Sequence, residues 1–184
     1  IIFLAGLFLY LIKAEIENRN HAGAKAPSEK SEKSVSFIIG GDMMFARGID
    51  QKFGDDFNRA FSQFDDRVFL GFDGAIINLE GAITKNPIKN TGHPDTVNFQ
   101  FPAIITKTLS FLHITVASLA NNHSDNAGIE NLSYMRSVLT DAGIQSFGGP
   151  NQGSVDKVAY IKGEGMTLAI VGMNLTYPNQ DPQK

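Results

Sequence analysis

Three short apolar runs, each breaking into a tight polar turn, constrain this chain more than any other feature. They read "VSFIIG" ahead of "GDMMFAR", "GAIINLE" (74–80) ahead of "GAIT", and "ITVASLA" (114–120) ahead of "NNHSDNAG". Short apolar runs bounded by Gly, Asn and Asp read as buried strands. Between them the apolar spacing becomes that of a helix. "AIITKTLSFLH" carries apolar residues at 104, 105, 109 and 112, and "IENLSYMRSVLTDAG" puts Ile129, Leu132, Met135, Val138 and Leu139 on one face. Strands alternating with helices predict an α/β fold.

The remaining segments fit that pattern. Phe57, Phe61 and Phe64 stand at helical spacing in "FNRAFSQF", as core residues would. "VNFQF" (97–101) alternates like a short strand and is stopped by Pro102. Gly143 follows the second helix where a C-terminal glycine belongs. "IQSFGG" adds a strand, and "KVAYIK" and "MTLAIVG" form a hairpin through "GEG".

Up to Ser34 the chain has a different character. Residues 1–12, "IIFLAGLFLYLI", carry no charge. A spanning helix needs about 20 apolar residues, so this stretch reads as the end of a transmembrane anchor. The alternatives are a buried core helix and a cleaved signal peptide with "GAKA" (23–26) as its site. Residues 13–34 are polar and rich in Lys, Glu, Ser and Ala, too poor in apolar surface to offset the entropy of ordering. They read as a linker, and His21 within them as a solvated side chain. The domain proper is expected over 35–184. Its close on "YPNQDPQK", straight after a strand-like run, predicts a C-terminal truncation.

Composition narrows the chemistry. Hydrophobic residues make up 42% and charged ones 19%, which suits a globular protein. A net charge of −3 leaves no broad basic field, so nucleic acid is not an expected partner. The absence of Cys excludes disulfides, thiolate metal sites and Cys nucleophiles. Any metal must be held by His, carboxylates, Asn or main-chain oxygens.

Open α/β sheets place ligands beyond the carboxyl ends of their strands. Parallel neighbours would bring three polar turns to one edge: Asp42 from the first, Asn78 and Glu80 from the second, Asn122 and His123 from the third. Asp42 and Glu80 suit a hard or borderline divalent cation, with an Asn oxygen to complete its shell. His123 could be a ligand, a general acid for a leaving oxygen, or a buried imidazole pinning its loop. Arg47 could hold a carboxylate or phosphate group of a substrate, or lie on the surface of the first helix. Asp125 and Asn126 stand where the N-cap of the following helix would be. His93, in "NTGHPDT", reads as a loop residue, and His113 as the end of a helix with no function assigned.

At these turns the sequence resembles the CapA family of bacterial capsule and poly-γ-glutamate synthesis proteins, whose domain is related to calcineurin-like metallophosphoesterases. "GDMMFAR", "NLEGAIT" and "SLANNHSDNAG" carry the resemblance, with "GIQSFGG" after the next helix, and it runs from about Val35 to the chain end. It implies a metallophosphoesterase-like α/β/β/α sandwich on the outer face of a bacterial membrane, behind an N-terminal anchor. It places Asp42, Glu80 and Asn122 as ligands of a divalent metal (Mn, Mg, Zn or Fe) and His123 as the residue facing a substrate phosphate. Asn78 and Asn121 would be secondary members. Met44 stands where phosphoesterases carry a His ligand, as is usual for this family, and Asn126 stands where its loop commonly has Asp. The family's later His motifs, one HWG-like and one GxHPH-like, fall beyond Lys184. On that reading the chain holds half a metal shell, binds metal weakly and has no robust hydrolase activity.

Three functions follow from the resemblance and the ligand set. The first is a membrane-anchored component of capsule or poly-γ-glutamate synthesis and export, acting with other capsule-synthesis membrane proteins on an anionic polymer. The second is a divalent-metal phosphoesterase or related hydrolase with a phosphate-containing substrate. The third is a noncatalytic scaffold of the same fold, for which Met44 is the local argument.

Overall fold

Gly74–Leu79 is apolar on both faces, and every residue of it but Asn78 is buried. A strand of that kind belongs inside a covered parallel sheet. In the computed structural model, which describes residues 33–88, 97–151 and 157–176, it does. It is β2 of a four-stranded sheet with β1 (Phe37–Met43), β5 (Val116–Ser118) and β6 (Gln145–Phe147), in the order β1-β2-β5-β6. All three pairings are parallel. Helix α1 (Gly48–Phe53) follows β1, α2 (Ile105–Phe111) precedes β5, and α3 (Leu132–Asp141) links β5 to β6. A two-residue parallel pair, β3 (Ala82–Ile83) with β4 (Gln100–Phe101), sits beyond the end of β2. The fold is mixed α/β, as the alternation of patterns predicts. The expected anchor over 1–12, the linker up to Glu32, His21 and His93 lie outside the described residues. Among the described residues no helix is long and apolar enough to cross a membrane.

The two faces of the sheet are covered differently. β7 (Ala159–Gly163) and β8 (Met166–Ile170) form the expected antiparallel hairpin, turning at Gly165 with φ +64°. Ala159 and Ile161 of this hairpin pack with Ile76, Val116 and Phe147 in one buried cluster. Gly74 makes that approach possible, because a Cβ there would run into the Ile161 side chain. Ile77 and Leu79 alternate to the other face. They are as deeply buried as Leu109 of α2 and Met135 and Leu139 of α3.

Several boundaries differ from the sequence reading. The first strand does not stop at Gly40 but runs on to Met43 through an irregularity at Gly40–Gly41. The Phe57–Phe61 stretch is a 3₁₀ helix, and Phe64 is left largely exposed. Phe57 instead meets Phe45 edge to face at 5.3 Å, and Phe45 meets Phe101 at 5.7 Å. Contacts of this type contribute about 0.5–1.5 kcal/mol each beyond area burial. The third apolar face also narrows. Ile129–Asn131 is 3₁₀, so Ile129 rotates out to 53% exposure while Leu132, Met135 and Leu139 stay buried. Gly143 follows α3 at φ +76°, as expected of its C-terminal glycine.

Candidate functional site

The parallel order β1-β2-β5 puts three strand ends on one edge, and the register aligns their side chains. Ile39 pairs with Ile76 and Asp42 with Asn78, so β1 advances three residues while β2 advances two. The extra residue is a bulge at the Gly-Gly pair. Without it Gly41 would oppose Asn78, and Asp42 would fall one place beyond. On the other side Asn78 pairs with Ser118, just ahead of the polar loop.

Amide side chains then tie the turns together. Asn121 is 6% exposed. Its Nδ2 donates to the Leu79 carbonyl at 3.0 Å, and its Oδ1 accepts the His123 backbone N–H at 3.0 Å. One backbone acceptor and one backbone donor therefore fix which end of this amide is which. Asn121 Nδ2 also donates to Asn78 Oδ1 at 2.9 Å, which fixes the second amide in turn. Asn78 Nδ2 is left to donate to Asp42 Oδ1 at 2.8 Å and to Glu80 Oε2 at 2.6 Å. Ser124 Oγ closes the loop, donating to the Leu119 carbonyl at 2.7 Å. Both carboxylates are thus held from behind by one carboxamide.

His123 lies against this group, 9% exposed. Its Nε2 is 3.6 Å from Glu80 Oε1, and its ring is 4.3 Å from that of Phe99. The Arg47 guanidinium sits over the other partner of this stack, 4.6 Å from the Phe99 centroid. Arg47 reaches that place from a backbone at φ +57°, ψ −130°, a conformation L-residues rarely adopt. It is the N-cap residue of α1, without a capping side-chain bond. Strain at such a position costs on the order of 1–3 kcal/mol and persists only where the surroundings hold it.

The structure brings Asp42, Asn78, Glu80, Asn121 and His123 into one bonded group. Arg47 joins it through Phe99, and Asn122 is half-buried between Asn121 and His123. Asn126 corrects the sequence reading. It caps no helix, since the residue before α3 is Asn131 and the 3₁₀ turn begins after Gly128. Its Oδ1 instead accepts the Phe99 N–H at 2.7 Å and faces His123 Nδ1 at 3.0 Å. Its carbonyl accepts from Gln100 Nε2 at 2.6 Å. Asp125 is exposed and offers no cap either; its carbonyl accepts the Gly128 N–H. Sequence reasoning missed Phe99 altogether. The alternation of "VNFQF" gave it an inward face, but nothing local marks an aromatic as the partner of a loop His 24 residues on. His113 stands two residues past α2, at φ +58°, and lies outside this group.

A divalent cation fits these residues in part. Two ligands of a tetrahedral shell with bonds of about 2.1 Å lie roughly 3.4 Å apart, close to the 3.6 Å between Glu80 Oε1 and His123 Nε2. Glu80 Oε1 is an acceptor, and His123 Nε2 is one when a neutral ring carries its proton on Nδ1. Asp42 is separated from Glu80 by the Asn78 amide, and among the described residues no three His, Asp or Glu side chains group as a ready metal cage. Met44 adds no ligand, for its Sδ turns back to accept the Ala46 N–H at 3.0 Å.

Fold and site together define an α/β protein with a hydrogen-bonded polar cluster at the carboxyl edge of a parallel sheet. The chain belongs to the bacterial capsule synthesis protein family PGA_cap, which it matches over residues 36–184. Its function is accordingly related to capsule synthesis. No curated protein matches the chain.

Proposed function

We propose that this protein works in the biosynthesis and export of capsule polysaccharide or poly-γ-glutamate at the bacterial cell surface, held to the membrane by its N-terminal segment, with the domain on the extracytoplasmic side. Its partners are other capsule-synthesis membrane proteins and an anionic polymer. Family membership supports the capsule. The observation that supports a working site is one Asn78 amide donating to both Asp42 and Glu80, with His123 against Glu80. Deleting the intact gene in a producing strain should abolish surface anionic polymer, and unchanged polymer would count against the proposal.

The acceptor set favours a second reading, a divalent-metal-dependent phosphoesterase or related hydrolase on a metallophosphoesterase-like α/β/β/α sandwich. Glu80 and His123 would hold the cation, with Asn122 and Asp42 beside them, and the cation would supply Lewis-acid activation. Arg47, braced on Phe99, would bind the anionic group of the substrate. Metal analysis of the intact protein with activity after His123→Ala tests this: no bound metal and no lost activity would remove it. A noncatalytic scaffold is favoured by one feature, the Met44 sulfur turned onto its own loop.

A further inference from the structure

We infer that Asn126 is a positioning residue for His123: it keeps a proton on Nδ1, so that the neutral ring is the Nδ1–H tautomer with its Nε2 lone pair toward Glu80. The inference deepens the site reading above, but it stands on hydrogen-bond logic of its own.

The backbone N–H of Phe99 can only donate. The Asn126 side-chain atom 2.7 Å from it must therefore be the oxygen, not the amide nitrogen. That same oxygen lies 3.0 Å from His123 Nδ1. An amide oxygen cannot donate, so the proton between them belongs to Nδ1. A neutral ring with its proton there carries a lone pair on Nε2, and Nε2 faces a carboxylate oxygen at 3.6 Å. Two acceptors aimed at each other invite a cation or a donor between them. The opposite tautomer would place Nε2–H toward Glu80 and leave the Nδ1 lone pair against the Asn126 oxygen, a repulsive contact in a buried setting.

Asn126 is itself held in place. Its carbonyl accepts from Gln100 Nε2, and Gln100 Oε1 accepts the Ile88 N–H at 3.1 Å. Asn126 sits in the same loop as His123, and its N–H donates to the His123 carbonyl at 3.1 Å. The Phe99 N–H and Gln100 Nε2 tie that loop to β4 and the residue before it, and so fix the oxygen that faces the ring.

The test is the ¹⁵N spectrum of the imidazole in the full chain, at a pH where the ring is neutral. The wild-type ring is expected almost wholly as Nδ1–H. Asn126→Ala should lower the ratio of Nδ1–H to Nε2–H by roughly fivefold. Asn126→Asp, whose carboxylate can still accept both N–H groups, should keep the wild-type tautomer. An Nε2–H ring in the wild type overturns the inference. So does a folded Asn126→Ala whose ring is unchanged. Should Asn126→Ala fail to fold, Asn126→Asp decides, and an Nε2–H ring there overturns it equally. Adding Zn²⁺ separates this from the metal reading: a wild-type Nδ1–H ring that does not shift with Zn²⁺ upholds the tautomer assignment and removes the cation.

Discussion

Gly81 in "NLEG" is the residue whose replacement tests most of the site's architecture at once. It sits at φ +139°, immediately after Glu80, where the chain turns from β2 into β3. A Cβ at this position would lie 2.5 Å from Phe101 Cε1 and 2.8 Å from the Phe99 carbonyl oxygen. Phe101 is fully buried against Phe45, so its ring has no free volume to enter. The Phe99 carbonyl accepts the Ala82 N–H at 2.9 Å, so the backbone is fixed too. Overpacking of this kind costs about 1–3 kcal/mol, and the backbone conformation adds a similar amount for any L-residue. Gly81→Ala should therefore lose about 3–4 kcal/mol in urea unfolding, with Tm falling by roughly 10 °C for a domain of this size. Gly41→Ala is the control, since nothing lies within 4 Å of its Cβ position and its φ is not positive; it should change stability by less than about 0.5 kcal/mol. A Gly81→Ala loss no larger than the control's would refute the close approach of β2's end to the Phe99–Phe101 strand. The placement of Phe99 under Arg47 and beside His123 would fall with it.

Arg47→Gly removes the guanidinium over Phe99 and should weaken binding of anionic groups; unchanged phosphate binding would count against Arg47 as their holder. Asn78→Asp puts a third carboxylate between Asp42 and Glu80 and should cost roughly 2–4 kcal/mol without metal. Added Mn²⁺ should restore much of that loss, and an unchanged urea midpoint with Mn²⁺ would count against a cation seat. The Ser36 N–H, and secondarily its hydroxyl, hold the Asp73 carboxyl below the ordinary carboxylate value. A depressed folded value stabilises above the unfolded value of about 3.9 and is lost as pH falls through the folded one. The stability gap between wild type and Asp73→Asn should be present at neutral pH and close in acid; a gap of constant size would contradict it.

The edge that carries the site was legible because strands ending in polar turns are a local signal, and parallel pairing of neighbours then brings Asp42, Asn78 and the Asn121–His123 loop together. Glu80 was legible for the same reason. What stayed hidden depends on contacts distant in sequence. Asn126 looks like a cap because Asn before a helix usually is one; only the position of Phe99 N–H shows that it points sideways. Phe99 itself gains its role from Arg47 and His123, far from it in sequence on both sides. The Gly that bounds "VSFIIG" looks like a strand end, whereas the Gly40–Gly41 pair shifts register and lets the strand continue to Met43. Ile129 falls on the apolar face of α3 in the sequence because a 3₁₀ turn and an α-turn look alike in a periodicity pattern.

Complementation with a single altered carboxylate reaches the central claim most directly. In a capsule-producing strain lacking the gene, the intact wild-type gene should restore surface anionic polymer. Glu80→Gln, which removes the charge facing His123 Nε2 while keeping the side chain's size, should fail to restore it at equal protein level. Full restoration by Glu80→Gln would contradict a working site at this strand edge.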